Sequence, residues 1–187
     1  MDSLTDNHLM LGVKAGELDK MALLYKRHSS ALYGFAYHQT GEQSGSEDIV
    51  QAVFYRMLKY RASFTGQGEF RAWMYHIARN CIHDKFKKSQ RYQFLDDMVK
   101  VSDAEMNHSF VNESERQDSK NLVNFALSKM DADAREILVL SKYQDLPYKE
   151  IAGILEITEA NVKVKVHRAI KQLKEIYLKL ENGTARF

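Results

Sequence analysis

Between residues 64 and 88 the chain reads FTGQGEFRAWMYHIARNCIHDKFKK, which sets aromatic rings, two glycines and many cations side by side. A hydrophobic core takes the rings but rejects the charges, and a solvated surface takes the charges but gains nothing from the rings. A surface for a flat, anionic ligand uses both. From Arg56 to Arg91 there are nine Lys or Arg against two acids, Glu69 and Asp84, the steepest positive field in the chain. The loop around Phe64, Gly66, Gln67, Gly68 and Phe70 is expected to present its rings to unpaired bases, because a glycine-bearing loop buries little of itself. Each stacked base is worth about 1–3 kcal/mol, and loop backbone can also accept a base turned out of the duplex. Trp73 stands four residues before Ile77 and reads chiefly as packing.

A second nucleic-acid chemistry stands near the other end of the chain. The stretch DLPYKEIAGILEITEANVKVKVHRAIKQL holds two helical patterns separated by a turn near Glu156 to Thr158, the spacing of a helix-turn-helix. Pro147 suits the first turn of the first helix, and the Thr158 hydroxyl suits the cap of the second. Ile151, Ala152 and Leu155 are expected to face inward. At about 100° per residue, Val162, Val166, Ala169, Ile170 and Leu173 share one apolar stripe of the second helix. Lys163, Val164, His167, Arg168, Lys171 and Lys174 fall on the opposite face, with Lys165 on a flank. Residues 163–174 contain five Lys or Arg and no acid. A charged outer face is often mere solvation, but the turn and the caps favour a recognition helix. In such a helix the N-terminal residues reach base edges and later cations reach phosphates. Lys163, Val164 and His167 are then base readers, Val164 through a thymine methyl, while Arg168 and Lys171 hold the backbone.

Both chemistries need helices to position them. Apolar residues recur at helical spacing nearly everywhere, alternating strand-like runs are absent, and Pro occurs once. The pattern predicts an all-α protein, with helices near residues 17–39, 46–59 and 70–89, breaks at 40–45 and 65–68, and a second helical module from about Lys120 to Tyr177. Ile49, Val53, Phe54 and Met57 are expected to pack inward from the second helix, leaving Asp48, Gln51, Tyr55 and Arg56 on or near its open side. An open polar side is usually only solvated, and spacing alone does not make it an interface.

Charge divides the chain the same way. Residues 1–91 carry 13 basic and 9 acidic residues, residues 92–118 carry 2 and 7, and residues 119–187 carry 12 and 9. Two basic modules, 1–91 and 119–187, joined by an acidic, flexible connector over 92–118, suggest a polyanionic partner. No run of eighteen apolar residues occurs, and the start MDSLTDNHLMLGVK lacks a basic, then apolar, leader, so a cytoplasmic protein without membrane insertion is expected. The one cysteine, Cys81, sits among Ile77, Ala78 and Ile82 and reads as a small buried side chain; it excludes an internal disulfide and offers no thiolate metal site.

Taken in order, EDIVQAVFYRML, FTGQGEFRAWMYHIARNCIHD, an acidic connector and LPYKEIAGILEITEANVKVKVHRAIKQL resemble a bacterial RNA polymerase sigma factor of the extracytoplasmic-function type. The resemblance covers both modules and implies a sigma-2-like helical bundle and a sigma-4-like helix-turn-helix domain. By resemblance, Asp48, Gln51, Phe54 and Arg56 belong to the helix that docks on core polymerase. Phe64, Gly66, Gln67, Phe70, Arg71, Trp73, Arg79 and Asn80 match the part that melts the minus-10 element and captures one strand. Lys163, Val164, Lys165, His167, Arg168 and Lys171 match the helix that reads the minus-35 duplex. The implied partners are core RNA polymerase, promoter DNA and an inhibitory anti-sigma factor, with no metal or other cofactor.

Four positions depart from the family pattern. Ala52 stands where Glu is common, Glu156 where Gly is frequent in the interhelical turn, Asn161 for a common Thr, and Val164 for a small polar residue. Glu156 must adopt a left-handed conformation at a cost of about 1 kcal/mol or shift the turn. The connector sets a physical constraint of its own. Readers two duplex turns apart are separated by about 70 Å along the DNA, whereas a free 27-residue coil averages about 29 Å and reaches about 90 Å at full extension. It must be stretched when both modules are engaged.

The rival reading is a two-module repressor or activator that never joins polymerase; it accounts for the helix-turn-helix but not for the aromatic loop. Catalysis is the third. His76 and His83 lie seven apart, where a helical metal pair needs three or four, and no phosphate-binding Gly loop or nucleophile motif is present, so no enzyme is expected.

Overall fold

Thr5 opens the first helix by accepting the backbone N–H of His8, and Gly16, at φ 108°, closes it in the left-handed conformation that glycine adopts without strain. This helix, α1 (Asp6–Ala15), lies ahead of every helix expected from the sequence. The structure is a computed structural model that describes residues 4–97 and 115–184. After α1 come α2 (Lys20–Thr40), α3 (Gln43–Lys59), a 3-10 turn at Arg61–Ser63 and α4 (Phe70–Asp97). The second module holds α5 (Glu115–Ser128), α6 (Ala132–Leu138), a π turn at Val139–Tyr143, α7 (Tyr148–Leu155) and α8 (Glu159–Thr184). All regular structure among the described residues is helical, as expected.

Leu24, Leu32, Phe35, Val53, Met57, Phe70 and Met74 fill the first bundle, and Ile137, Leu138, Ile151, Ile154, Val162 and Val166 fill the second. Both sets belong to one continuous apolar cluster, because α4 packs on α7 and α2 packs on the π turn. Two boundaries differ from expectation. α4 runs to Asp97 instead of ending near Ser89, and α5 begins at Glu115, inside the expected connector. Neither Gly nor Pro interrupts SQRYQFLDD or ERQDSKNL, and acidic charge alone does not stop a helix. The rest of the connector, residues 98–114, lies outside the described residues.

Candidate nucleic-acid interface

The helix-turn-helix forms as its local signals dictate. α7 ends at Leu155, and Glu156 after it takes the left-handed conformation (φ 55°, ψ 40°), so the turn keeps its shape at the cost anticipated for a residue with a Cβ. Thr158 Oγ1 then accepts the backbone N–H of Asn161 at 3.3 Å and caps α8. Val162, Val166 and Ala169 are buried, and Leu173 packs partly against them. Ile170, expected in this stripe, is 42% exposed. Eight residues on from Val162 it sits about 80° round the helix, at the edge of the line along which α8 rests on its neighbours. Lys163, Val164, Lys165, His167, Arg168 and Lys171 all stand exposed on the outward side. Gln172 donates to Asp131 at 3.0 Å, tying α8 to the start of α6.

On α3, Asp48 and Gln51 are exposed, and Arg56 is half-buried with its guanidinium 2.7 Å from Asp84 on α4. Phe54 is not on that open side. It is buried, with the Tyr25 ring 4.8 Å away, as the helical spacing predicts and contrary to its place in an open docking surface. Tyr25, Tyr33, Glu47 and Gln51 line a groove between α2 and α3.

The aromatic loop departs furthest from expectation. Phe64 is 3% and Phe70 1% exposed, so neither ring is offered to a base. They form an interior cluster with half-buried Trp73: ring centroids lie 5.1 Å apart for Phe64 and Trp73, and 6.3 Å for Phe64 and Phe70. The correction has a physical cause in α1, which lies across the loop and supplies the cover that a short loop cannot make for itself. What faces outward is Thr65, Gln67, Gly68 and Glu69, with Gly66 at φ 72° shaping the turn. Thr5 is a helix-start signal and Gly16 a helix-stop signal, with Leu9, Met10 and Val13 at helical spacing between them, and together they mark α1 in the sequence.

Further along α4, the cations expected to meet phosphates are held by the second module. Arg71 donates to the Gln144 carbonyl at 2.7 Å, and Tyr75, also on α4, donates its hydroxyl to Gln144 Oε1 at 2.7 Å. Gln144 follows the π turn, whose wider winding has its own N–H donating back to Val139. Arg79 Nε lies 3.1 Å from both oxygens of Glu136, a carboxylate only 8% exposed. Burial pushes the Glu136 carboxyl above its usual range, while the charge and hydrogen bond of Arg79 pull it down. Burial raises the Tyr75 hydroxyl well above the usual phenol range and lowers the His38 imidazole, whose ring meets Tyr143 at 4.1 Å between centroids. His76 lies 3.5 Å from Glu156, and Asn80 is exposed. Glu136 and Gln144 carry no sequence signal for this role, since Glu136 lies in an ordinary helical pattern and Gln144 in the short connection after the π turn. Among the described residues no helix is long and apolar enough to cross a membrane.

Comparison with known proteins agrees with this architecture. Residues 24–92 match the family model for sigma-70 region 2, and residues 121–173 match that for sigma-70 region 4. The ECF RNA polymerase sigma factor BldN of Streptomyces coelicolor is 30% identical over 182 residues, covering 94% of this chain and 67% of that one. The RNA polymerase sigma factor YlaC of Bacillus subtilis is 26% identical over 162 residues, covering 84% of this chain and 91% of its own. Among solved structures, CnrH in complex with the cytosolic domain of CnrY superposes with a TM-score of 0.68 at 22% identity, over 91% of this chain and 96% of that one. The sigma factor RpoE in complex with the anti-sigma factor NepR, from Bartonella quintana, gives 0.64 at 24% identity, over 83% and 94%. At those identities the two structures speak to the fold alone.

Proposed function

The chain belongs to the extracytoplasmic-function sigma factors, initiation factors that bind RNA polymerase core and direct it to promoters, and we propose that it divides this work among three surfaces. α8 reads the minus-35 duplex, with Lys163, Val164 and His167 toward base edges and Lys165, Arg168 and Lys171 toward phosphates. The loop before α4, through Gln67 and the backbone around Gly66, receives the opened minus-10 strand, and Arg71, Arg79 and Asn80 hold it. Phe64, Phe70 and Trp73 support that loop from beneath instead of stacking on bases. Asp48 and Gln51 meet polymerase, with Arg56 at their edge and Phe54 shaping the groove from inside.

One observation carries the reading. The cationic face of a capped helix-turn-helix and the polar open face of α3 are both exposed, on different modules of one chain. A repressor that never joins polymerase does not account for the match of residues 24–92 to sigma-70 region 2, and it is not favoured. Two readers about 70 Å apart cannot be served by modules in contact, so the pairing of Arg79 with Glu136 and of Arg71 with Gln144 must part before promoter binding. The closed arrangement is the inactive form, and a partner of the anti-sigma kind would act by holding it or by covering α3. RNA synthesis itself stays with polymerase: the chain is non-catalytic, needs no cofactor and works in the cytoplasm.

Run-off transcription with bacterial core polymerase, on promoters selected with this protein, tests the assignment. Initiation that requires the protein and falls about tenfold or more in Gln51→Arg is expected, the loss typical of a central interface residue. Duplex binding with no initiation would refute it.

A further inference from the structure

Asn7, Leu11 and Lys14 lie at the i, i+4, i+7 spacing of one helical face of α1, and each meets the loop at residues 64–70. At the end of the loop, Asn7 Nδ2 donates to the Gly68 carbonyl at 2.9 Å while its Oδ1 accepts the Phe70 backbone N–H at 2.8 Å. In the middle, the Leu11 side chain lies so close to Gly66 that a Cβ there would stand 3.1 Å from Leu11 Cδ1. At the start, Lys14 Nζ donates to the Phe64 carbonyl at 2.6 Å. The neighbouring face of α1, with Leu9, Met10 and Val13, is buried in the core. Asp6 pins the helix to α2 through Arg27 and His28, each at 2.7 Å.

We propose that α1 is a splint for the strand-capturing loop, and that Asn7 is its principal positioning residue. It fixes the Gly68 carbonyl and the first turn of α4 at once, and so sets the shape in which the loop backbone and Gln67 meet an unstacked base. Neither bond touches DNA. Core packing alone is met by the other face of the helix, and it leaves the two hydrogen bonds and the ion-to-carbonyl contact on this face without a purpose. The inference rests on the assignment of the loop to the minus-10 element.

Two substitutions separate shape from stability. Asn7→Ala removes both bonds, whereas Asn7→Asp keeps an acceptor for the Phe70 N–H, at a helix N-terminus that favours negative charge, and removes the donor to Gly68. The readout is discrimination: the ratio of run-off transcription from the selected promoter to that from promoters altered at single minus-10 positions, together with permanganate reactivity of minus-10 thymines in the holoenzyme complex. Asn7→Asp, whose carboxylate now faces the Gly68 carbonyl, is expected to retain the wild-type minus-35 preference, to fall by no more than a few degrees in melting temperature and to lose about fivefold in minus-10 discrimination, the worth of one lost hydrogen bond. Asn7→Ala loses at least as much, and His8→Ala, on an exposed position of the same helix, loses nothing. If wild-type protein discriminates at minus-10 and Asn7→Asp discriminates equally well, the splint is wrong. If wild-type protein shows no minus-10 discrimination, the loop assignment itself fails. Loss confined to melting temperature in both variants would make α1 a structural brace only and overturn the proposal.

Discussion

Replacing Glu136 by Ala should unlatch the two modules while leaving every proposed DNA-reading side chain in place, Arg79 being freed by it. In the closed form the carboxylate accepts Arg79 Nε at 3.1 Å through both oxygens. Hydrogen bonds to charged partners contribute about 1.5–3 kcal/mol. Two effects reduce the net loss here. The Arg79 side chain is still 27% exposed, so water recovers part of its solvation, and the burial cost of Glu136 itself disappears with the carboxylate. The expected shift is therefore about 1–2 kcal/mol toward the open form, or about 5- to 30-fold in the closed-to-open ratio. Dyes on cysteines placed at Glu47 and Lys174, both exposed, would report it as a fall in energy transfer; Cys81 is buried. Association with core polymerase should quicken in parallel.

The ionisation of Glu136 sharpens the test. Its pKa is raised in the closed form, burial being the largest cause, and should fall toward the ordinary value as parting the modules relieves the share of that burial that α4 supplies. The closed form therefore binds a proton more readily than the open one. The extra stability is complete below the ordinary glutamate value and is lost as pH rises through the raised one. At neutral pH the charge is a net cost, so Glu136→Gln, which keeps an amide oxygen for Arg79, should hold the modules at least as tightly as the wild type. A Glu136→Gln protein as open as Glu136→Ala would refute this reasoning, because attraction between charges would then outweigh desolvation.

Three further outcomes follow from the described geometry. Phe70→Ala should destabilise the first module by about 3–5 kcal/mol in denaturant unfolding, as truncation of a buried aromatic does, whereas a ring kept for stacking on DNA would cost little when removed. Lys171→Ala should weaken minus-35 duplex binding about equally across sequences and reduce the salt dependence by about one counterion, while Val164→Ser should alter preference at a single base step.

Much of the second module is legible in the chain because its signals are local. The Thr158 cap, the turn at Glu156 and the buried line Val162–Val166–Ala169 are each set by residues within a few positions of one another. The exposed face of α8 follows from that line by rotation alone, and only Ile170, at its edge, is misplaced by the pattern. The open side of α3 follows equally from spacing, and so does the inward turn of Phe54.

The sequence by itself therefore determined the helices, the two basic modules and the outward face of the recognition helix, since a 3.6-residue period and end-capping act over a single turn. Only the tertiary structure decided the fate of the aromatic loop and of the α4 cations. Asn7 reaches Phe70 across 63 residues, Lys14 reaches Phe64 across 50, and Arg71 reaches Gln144 across 73. A ring exposed in an isolated loop is buried once α1 lies over it, and a free guanidinium is spoken for once another module supplies a carboxylate. Composition can count such groups but cannot say which of them meet.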